Sequence, residues 1–270
     1  MIIAVALAVL VAGPAAANPA GANPAATVVQ RLATEEATQG VAVDDHYVYA
    51  VGDNVIGKYD KVSGRRVARF TGDLALYPHM NSCVVTAAEL VCAASNYPSV
   101  PMASVVEVFD TATLAHKRTV PLPPMPGSLT WIERHDGAWW AALANYDGKG
   151  GDPTRDHRWT VLLRLDDQFR PVASWLFPLA VLDRFTPRSC SGGSWGDDGL
   201  LYVTGHDLPE LYALRLPLAG TRLELVATIG LPTGGQAIAW EHGDKRRLWT
   251  IDRATKAAVA STIPAAATDR

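Results

Sequence analysis

The stretch from Gly40 to Phe70 reads GVAVDDHYVYAVGDNVIGKYDKVSGRRVARF, and it contains four short β-rich runs. The runs are GVAV (40–43), YVYAVG (47–52), VIGKYD (55–60) and RVARF (66–70). Asp44-Asp45 and Ser63-Gly64 stand between runs, and these residue types favour turns. The pattern predicts a four-stranded antiparallel meander, in which each strand pairs with the next along the chain.

Similar units return along the chain about every 40 to 50 residues, which is the repeat length of propeller blades. The second unit contains SCVV, LVCAAS, SVVEVFD and HKRTVPL, and two further units follow the same plan. The last unit offers three runs only, AIAW, RLWTID and AAVAS. The β-branched stretch Thr27–Leu32 is the candidate for the missing strand. We therefore predict an all-β, five-bladed propeller that an N-terminal strand closes in the last blade. A two-sheet sandwich and a six-bladed ring with one degenerate unit are the alternatives.

Composition places the chain among globular proteins and argues against nucleic acid as a partner. The chain has 270 residues, of which 24 are Lys or Arg and 27 are Asp or Glu. It has no basic stripe of the kind that a phosphate backbone requires. We predict one propeller domain over residues 27–264, followed by a short C-terminal tail at 265–270, and we expect a monomer.

The N-terminus resembles a targeting segment. Residues 2–11 form an uninterrupted apolar run, and Gly13, Pro14 and the small residues Ala15 to Ala17 follow it. We predict a signal peptide over residues 1–17, a flexible linker over 18–26, and a secreted or periplasmic protein without membrane contact after cleavage. A buried strand and a lipid anchor are the alternatives.

The three cysteines divide into a pair and a single residue. Cys83 and Cys92 flank an apparent hairpin turn, so regular pairing sets them opposite each other at a separation that permits a disulfide. Two packed thiols are the alternative. Cys190 is left over, and a nucleophilic role beside His206 or His79 is a minor hypothesis.

The candidate site lies at one end of the central channel. In a propeller, the loops that enter the inner strands and the loops between the second and third strands reach the same end, which we call the mouth. Loops on a rigid scaffold often carry binding residues. The five units place Gln39, Asn81, Ser128, Gly192 and Gln236 at the start of the inner strand. The cluster His206-Asp207-x-x-Glu210 is the sharpest signal for acid/base chemistry. A loop of about a dozen residues near His157 resembles a lid.

The segment ATQGVAVDDHYVYAVGDNVIGKYDKVSG, from Ala37 to Gly64, resembles the first blade of the glutamine cyclotransferase family, the plant-type glutaminyl cyclases. Members of that family are five-bladed propellers. The resemblance covers roughly one blade. It implies that Gln39, in the TQG motif, lines the substrate pocket. The family has a Glu where this chain has Asn81, so the resemblance supports the architecture more than the reaction.

These patterns favour an exported enzyme that acts on a small polar substrate, such as a sugar, a lactone or a peptide end, by hydrolase, lyase or cyclotransferase chemistry. The predicted catalytic residues are His206, Asp207, Glu210 and His79. The predicted substrate-binding residues are Gln39, Asn81, Asn96, Tyr97, Asn145, Tyr146, Arg158, Arg188, Ser191 and Gln236. We expect no organic cofactor. The residues leave room for one divalent cation, held by Asn81, His79 or Asp207.

Two other functions remain open at this point. One is a non-catalytic propeller that binds a carbohydrate or another ligand, with stacking surfaces on Tyr97, Tyr146, Trp131 and Trp159. The other is a scaffold for protein interactions.

Overall fold

The computed structural model describes residues 23–241, 243 and 246–266. The predicted signal peptide and residues 18–22 of the predicted linker lie outside the described residues, as do residues 267–270 of the predicted tail. The described part of the chain folds into five antiparallel sheets of four strands each.

Each of the first four blades is a meander of four consecutive strands. Blade 1 contains β2 (Gly40–Val43), β3 (Tyr47–Val51), β4 (Val55–Asp60) and β5 (Arg66–Thr71). Blade 2 contains β6 (Met80–Thr86), β7 (Glu89–Ser95), β8 (Ser104–Asp110) and β9 (His116–Pro121). Blade 3 contains β10 (Ser128–His135), β11 (Ala138–Ala144), β12 (Val161–Leu165) and β13 (Pro171–Leu176). Blade 4 contains β14 (Gly192–Trp195), β15 (Leu201–Thr204), β16 (Glu210–Arg215) and β17 (Glu224–Gly230).

Blade 5 joins the two ends of the described chain. It contains β18 (Ala239–Trp240), β19 (Arg247–Asp252) and β20 (Ala257–Thr262), and β1 (Thr27–Ala33) is its outer strand. β1 runs antiparallel to β20, with Leu32 opposite Ala258. The five-bladed architecture and the N-terminal closing strand are confirmed, and the sandwich and the six-bladed ring are wrong.

The core is divided among the spaces between blades. Five clusters of buried side chains lie one between each pair of neighbouring blades. Tyr49, Phe109 and Met80 fill the space between blades 1 and 2, and Trp131, Phe177 and Tyr212 fill the space between blades 3 and 4. Each blade therefore buries both of its faces, which explains why the second strands of blades 1, 2 and 3 are apolar at nearly every position.

The inner strands approach one another so closely that small residues are required there. A Cβ atom added to Gly40 would lie 2.4 Å from the backbone oxygen of Asn81, and one added to Gly192 would lie 2.4 Å from that of Gln236. Real Cβ atoms do not make such contacts, so any larger residue would push two blades apart.

Two short helical segments interrupt the strands. α1 (Leu179–Phe185) lies in the loop that enters blade 4, and a 3₁₀ turn covers His157–Trp159. α1 buries Val181, Leu182 and Phe185 against blades 3 and 4. Within the described ranges, no helix has the length and apolar character that crossing a bilayer requires.

The pairing of Cys83 with Cys92 follows the prediction. The two residues are directly opposite in the β6–β7 hairpin, and a disulfide joins them. At the start of the described chain, Ala26 N donates to Gly230 O at 2.8 Å, and Gly230 N donates to Pro24 O at 2.8 Å. Residues 24–26, placed in the predicted linker, are thus hydrogen-bonded to the end of β17. At the other end Ala266, placed in the predicted tail, is buried between blades 4 and 5.

Candidate functional site

His79 and Asp53 form a hydrogen-bonded pair at the mouth. Asp53 follows strand β3 of blade 1, while His79 immediately precedes the inner strand of blade 2. His79 Nδ1 lies 2.6 Å from Asp53 Oδ1, and Gln39 Nε2 donates to the same oxygen at 3.0 Å. A carboxylate on Nδ1 fixes the orientation of the imidazole and leaves Nε2 as the atom that can exchange a proton with a ligand.

Two tyrosines and an arginine extend this group toward the other side of the mouth. The Tyr97 ring lies 5.1 Å from the His79 ring and 5.2 Å from the Tyr146 ring, between centroids. Arg188 Nη1 donates to the Tyr97 hydroxyl at 3.2 Å. Burial raises the pKa of Tyr146 well above its usual range, so its hydroxyl stays protonated. The guanidinium of Arg188 is half-buried and supplies positive charge beside the aromatic rings.

A second histidine stands across the mouth in blade 4. His206 Nδ1 is hydrogen-bonded to Asp207, and Arg253 Nη1 lies 3.1 Å from His206 Nε2. When the Gln236 amide is oriented to suit its neighbours, its oxygen accepts from Arg253 Nη1 at 3.1 Å and its nitrogen donates to Gln39 O at 3.3 Å.

Burial is the main reason that His206 favours its neutral form. Burial lowers the pKa of His206, although its hydrogen bond to Asp207 acts in the opposite direction. The positive charges of Arg253 and Arg188 lower the pKa further. His206 Nε2 lies 3.1 Å from Arg253 Nη1 and 3.2 Å from the reoriented Gln236 oxygen, so it accepts from the guanidinium in one tautomer and donates to the amide in the other. The two arginines that act on this histidine make the centre of the mouth suitable for an anionic group.

The long loop of blade 3, residues 145–160, is held in place by Asp147. His157 Nδ1 lies 2.8 Å from Asp147 Oδ2, the His157 backbone N donates to Asp147 Oδ1 at 3.1 Å, and Thr186 Oγ1 donates to Oδ2 at 2.9 Å. Burial raises the pKa of Asp147, but the hydrogen bonds from His157 and Thr186 outweigh this and hold that pKa below its ordinary value. Asp147, Asp156 and His157 offer ligand atoms within 4.8 Å of one another, a different set from the cation ligands that the sequence suggested.

Several predicted site residues are occupied by structural hydrogen bonds. Asn81 donates to Leu129 O at 3.1 Å, Asn145 donates to Pro126 O at 3.0 Å, and Asn96 donates to Pro101 O at 3.0 Å within its own loop. Ser191 Oγ makes a long contact of 3.5 Å with Ser189 O. These residues shape the mouth and its loops.

The structure does not bring Glu210 to His206. Arg184 of helix α1 contacts both carboxylate oxygens of Glu210, and Tyr212 donates to one of them. The predicted catalytic cluster is therefore reduced to His206 and Asp207, because Glu210 begins a strand and turns toward the helix. Arg158 is exposed and pairs with Asp156 in the 3₁₀ turn, so it does not join Arg188.

Trp131, the candidate stacking surface, and Cys190, the candidate nucleophile, are both buried in the core. Trp131 is fully buried, and its indole N–H contacts the sulfur of Cys190 at 3.3 Å. Burial raises the pKa of the Cys190 thiol to about 12, which leaves it protonated, and its sulfur contacts Trp131 Nε1 and Gly192 O. Trp131 therefore offers no stacking surface and Cys190 no nucleophile. Trp159, in contrast, is 58% exposed in the loop of blade 3.

Asp53 and Arg253 are the residues that the predicted site left out. Both stand directly after the second strand of a blade, and their loops are rich in polar residues, which was the available signal. Asp53 is 26 residues from His79 and Arg253 is 47 from His206. Their contacts cross from one blade to the next, so they follow only from the closed ring.

Comparisons with known proteins agree on the propeller fold. The chain is similar in structure to the PQQ-bound form of aldose sugar dehydrogenase from Streptomyces coelicolor, with a TM-score of 0.54 and 12% identity over 90% of this chain and 100% of that one. It is also similar to a luciferin-regenerating enzyme, with a TM-score of 0.51 and 10% identity over 90% of this chain and 95% of that one. No family model and no curated protein sequence matches the chain. At these identities the likeness is one of fold.

Proposed function

We propose that the protein is an enzyme that binds a small polar substrate with an anionic group at the mouth and acts on it by general acid/base catalysis. The hydrogen-bonded pair of His79 and Asp53 carries the proposal, because it stands beside Tyr97 and the guanidinium of Arg188. His79 Nε2 takes or gives the proton, and Arg188 binds the anionic group. Asp53 holds the ring of His79 and stabilises its protonated form during the reaction.

His206 supports the same chemistry from the opposite side. Its neutral imidazole and the nearby Arg253 lie on the same hydrogen-bonded path as Gln236 and Gln39. These groups orient the polar atoms of the substrate, while the loop of blade 3 covers it. The one-blade resemblance to glutamine cyclotransferases makes peptides with an N-terminal Gln one class to test. Lactones and esters with a carboxylate are the others.

The experiment is a turnover assay over matched pairs of substrates, each pair consisting of a carboxylate-bearing compound and its neutral amide or ester. Lactones, aryl esters and glutaminyl peptides make up the panel. We expect turnover of at least one compound and a preference for its anionic form. His79→Asn should lower kcat about 10²- to 10⁴-fold, which is the usual contribution of a general acid or base. Arg188→Ala should raise KM.

The control is His46→Asn, because His46 is an exposed histidine in a turn of blade 1 at the opposite end of the channel. That variant should keep full activity. Equal activity in the wild type and in His79→Asn, with both proteins folded, would show that the pair has no catalytic role. Saturable binding without turnover of any compound would instead favour the ligand-binding propeller, to which the exposed Trp159 would contribute a contact surface.

We also propose that the protein is exported. The disulfide between Cys83 and Cys92 supports this, because disulfides persist in oxidising compartments. The apolar run at residues 2–11 supports it from the sequence. Expression of the full chain in a Gram-negative host should yield a periplasmic protein whose first residue is Asn18, and a cytoplasmic protein that retains Met1 would overturn the proposal.

A further inference from the structure

A cavity opens at the end of the propeller opposite the mouth. It lies where the inner strands of blades 3, 4 and 5 end, and its volume of about 690 Å³ is within the usual range of small-molecule sites. We call it the lower groove. Residues that line it include Glu133, His135, Asp136, Trp195, Asp197 and Trp240.

The floor of the lower groove is rigid and polar. Glu133 is 8% exposed, and its carboxyl group accepts from the Trp195 backbone N at 2.8 Å and from Ser194 Oγ at 3.0 Å. The ring of His135 stacks on that of Trp195, with centroids 4.5 Å apart and planes 4° from parallel. The hydrogen bonds and the stacked rings hold Glu133, His135 and Trp195 in place before a ligand enters, which limits the ordering entropy that binding costs.

The charge of the lower groove is predominantly acidic. Among its described lining residues, five carry a carboxyl group and two carry a guanidinium, although burial raises the pKa of Glu133 to about 8 and Glu241 is paired with Lys61. Both arginines already have partners, because Arg246 is paired with Asp198 at 2.9 Å and Arg134 with Asp167 at 2.6 Å. The side chain of Asp136 is 88% exposed, and its Oδ2 lies 3.3 Å from His135 Nε2. The rim therefore carries carboxylates whose charge is not neutralised by arginine.

Two buried donors beside the lower groove also lack partners. The indole Nε1 atoms of Trp195 and Trp240 are buried and have no hydrogen-bond acceptor among the described residues. Trp195 as a whole is 7% exposed, and it lines the cavity. A buried donor without an acceptor is costly, so a ligand oxygen that reaches either nitrogen after a small shift of the ring stabilises the complex.

We propose that the lower groove binds a small organic cation that also carries hydroxyl groups, such as an amino sugar. The ammonium group contacts the rim carboxylates of Asp136 and Asp197, and the hydroxyl oxygens accept from the indole N–H groups. The ring of His135 covers one side of the ligand. This site is separate from the mouth and does not depend on the reaction proposed there.

Calorimetric titration of the whole protein tests this with three sugars of similar size at about pH 6, where the amine of glucosamine is protonated. Glucosamine carries a charge, whereas glucose and N-acetylglucosamine do not. We expect glucosamine to bind more tightly than either neutral sugar. Asp136→Asn and Asp197→Asn should each weaken its binding about two- to fivefold, as expected for partly exposed charge pairs, and the double variant should weaken it further.

Two control variants locate the binding. Asp45→Asn removes an exposed carboxylate from a turn at the same end of the ring but outside the groove. Arg188→Ala alters the mouth. Both should bind glucosamine like the wild type. Absence of glucosamine binding, equal affinity for glucose, or loss of binding in Arg188→Ala but not in the Asp136/Asp197 double variant would each overturn the proposal.

Discussion

Glu133 is a buried acid whose charged form is unfavourable in the folded state. Burial raises its pKa to about 8, and the hydrogen bonds from Trp195 and Ser194 only partly oppose this. In the unfolded chain its pKa is near 4.5, so between these two values the folded state holds a proton that the unfolded state has lost. Folding is therefore favoured by this group at low pH, and the stabilisation is lost as the pH rises through about 8.

We predict that Glu133→Gln is more stable than the wild type at about pH 9 by a few kcal/mol, since each unit of pKa shift corresponds to about 1.4 kcal/mol. At about pH 4 the two proteins should differ little. Urea unfolding at both pH values measures this. Glu89→Gln is a control in which the stability should change in the opposite direction. Arg118 and Lys117 lower the pKa of Glu89 to about 2, so loss of the Glu89 charge should reduce stability at neutral pH. Parallel pH profiles for Glu133→Gln and the wild type would contradict the prediction.

The positions of some single residues could be predicted from the sequence, and those of others could not. Gln39 and His79 were predicted at the mouth, and the structure brings them to one carboxylate, that of Asp53. Trp131 was predicted as a stacking surface. A β-bulge between Leu129 and Trp131 shifts the strand register, and the indole turns into the space between blades 3 and 4. An alternation pattern does not reveal a bulge, because one added residue reverses the faces beyond it.

Among the structural elements, the loop of blade 3 depends most on one side chain. Asp147 accepts from His157 and Thr186, and its backbone N donates to Pro187 O at 3.0 Å. It therefore ties residues 145–160 to the segment that leads to Arg188. The loop exposes Lys149, Arg155 and Arg158 to different degrees, and these are sites for trypsin.

We predict that Asp147→Asn loosens this loop without unfolding the blades. Tryptic cleavage after Arg155 or Arg158 should be about ten times faster, while the thermal midpoint changes by a few degrees at most. Asp166→Asn is the matched control, because Asp166 accepts from backbone N atoms in a turn of the same blade at the opposite end. If both variants are cleaved like the wild type, the hydrogen bonds of Asp147 do not hold the loop.

Most strands were predictable, and the helix was not. The runs in the first four units correspond to the strands of blades 1 to 4, since each run is bounded by turn residues. α1 was missed because its seven residues, LAVLDRF, are too few to establish a helical period. The preceding Pro178 is no help, because proline is as common in loops as at the start of a helix. The length of the loop of blade 3 was a usable signal, but its internal hydrogen bonds depend on a fold that only the closed ring provides.

For the molecule as a whole, closure of the ring rests on β1. Leu32 is 7% exposed and packs with Trp249 and Tyr59 between blades 5 and 1, whereas Val29, on the same strand, is 48% exposed. We predict that Leu32→Ala lowers the free energy of unfolding by about 2–4 kcal/mol and that Val29→Ala lowers it by less than about 0.5 kcal/mol. Urea unfolding gives both values. Similar small losses for the two variants would show that β1 adds little to the ring.

The partner of β1 also determines the order of events during synthesis. Thr27 pairs with Thr262, so β1 has to wait until β20, far along the chain, has been made. Until then blade 5 lacks its outer strand and the ring is open, although blades 1 to 4 consist of neighbouring segments that can form in turn. Closure of the ring is thus the step that joins two segments far apart in the sequence, and it comes after neighbouring segments can already have formed the other four blades.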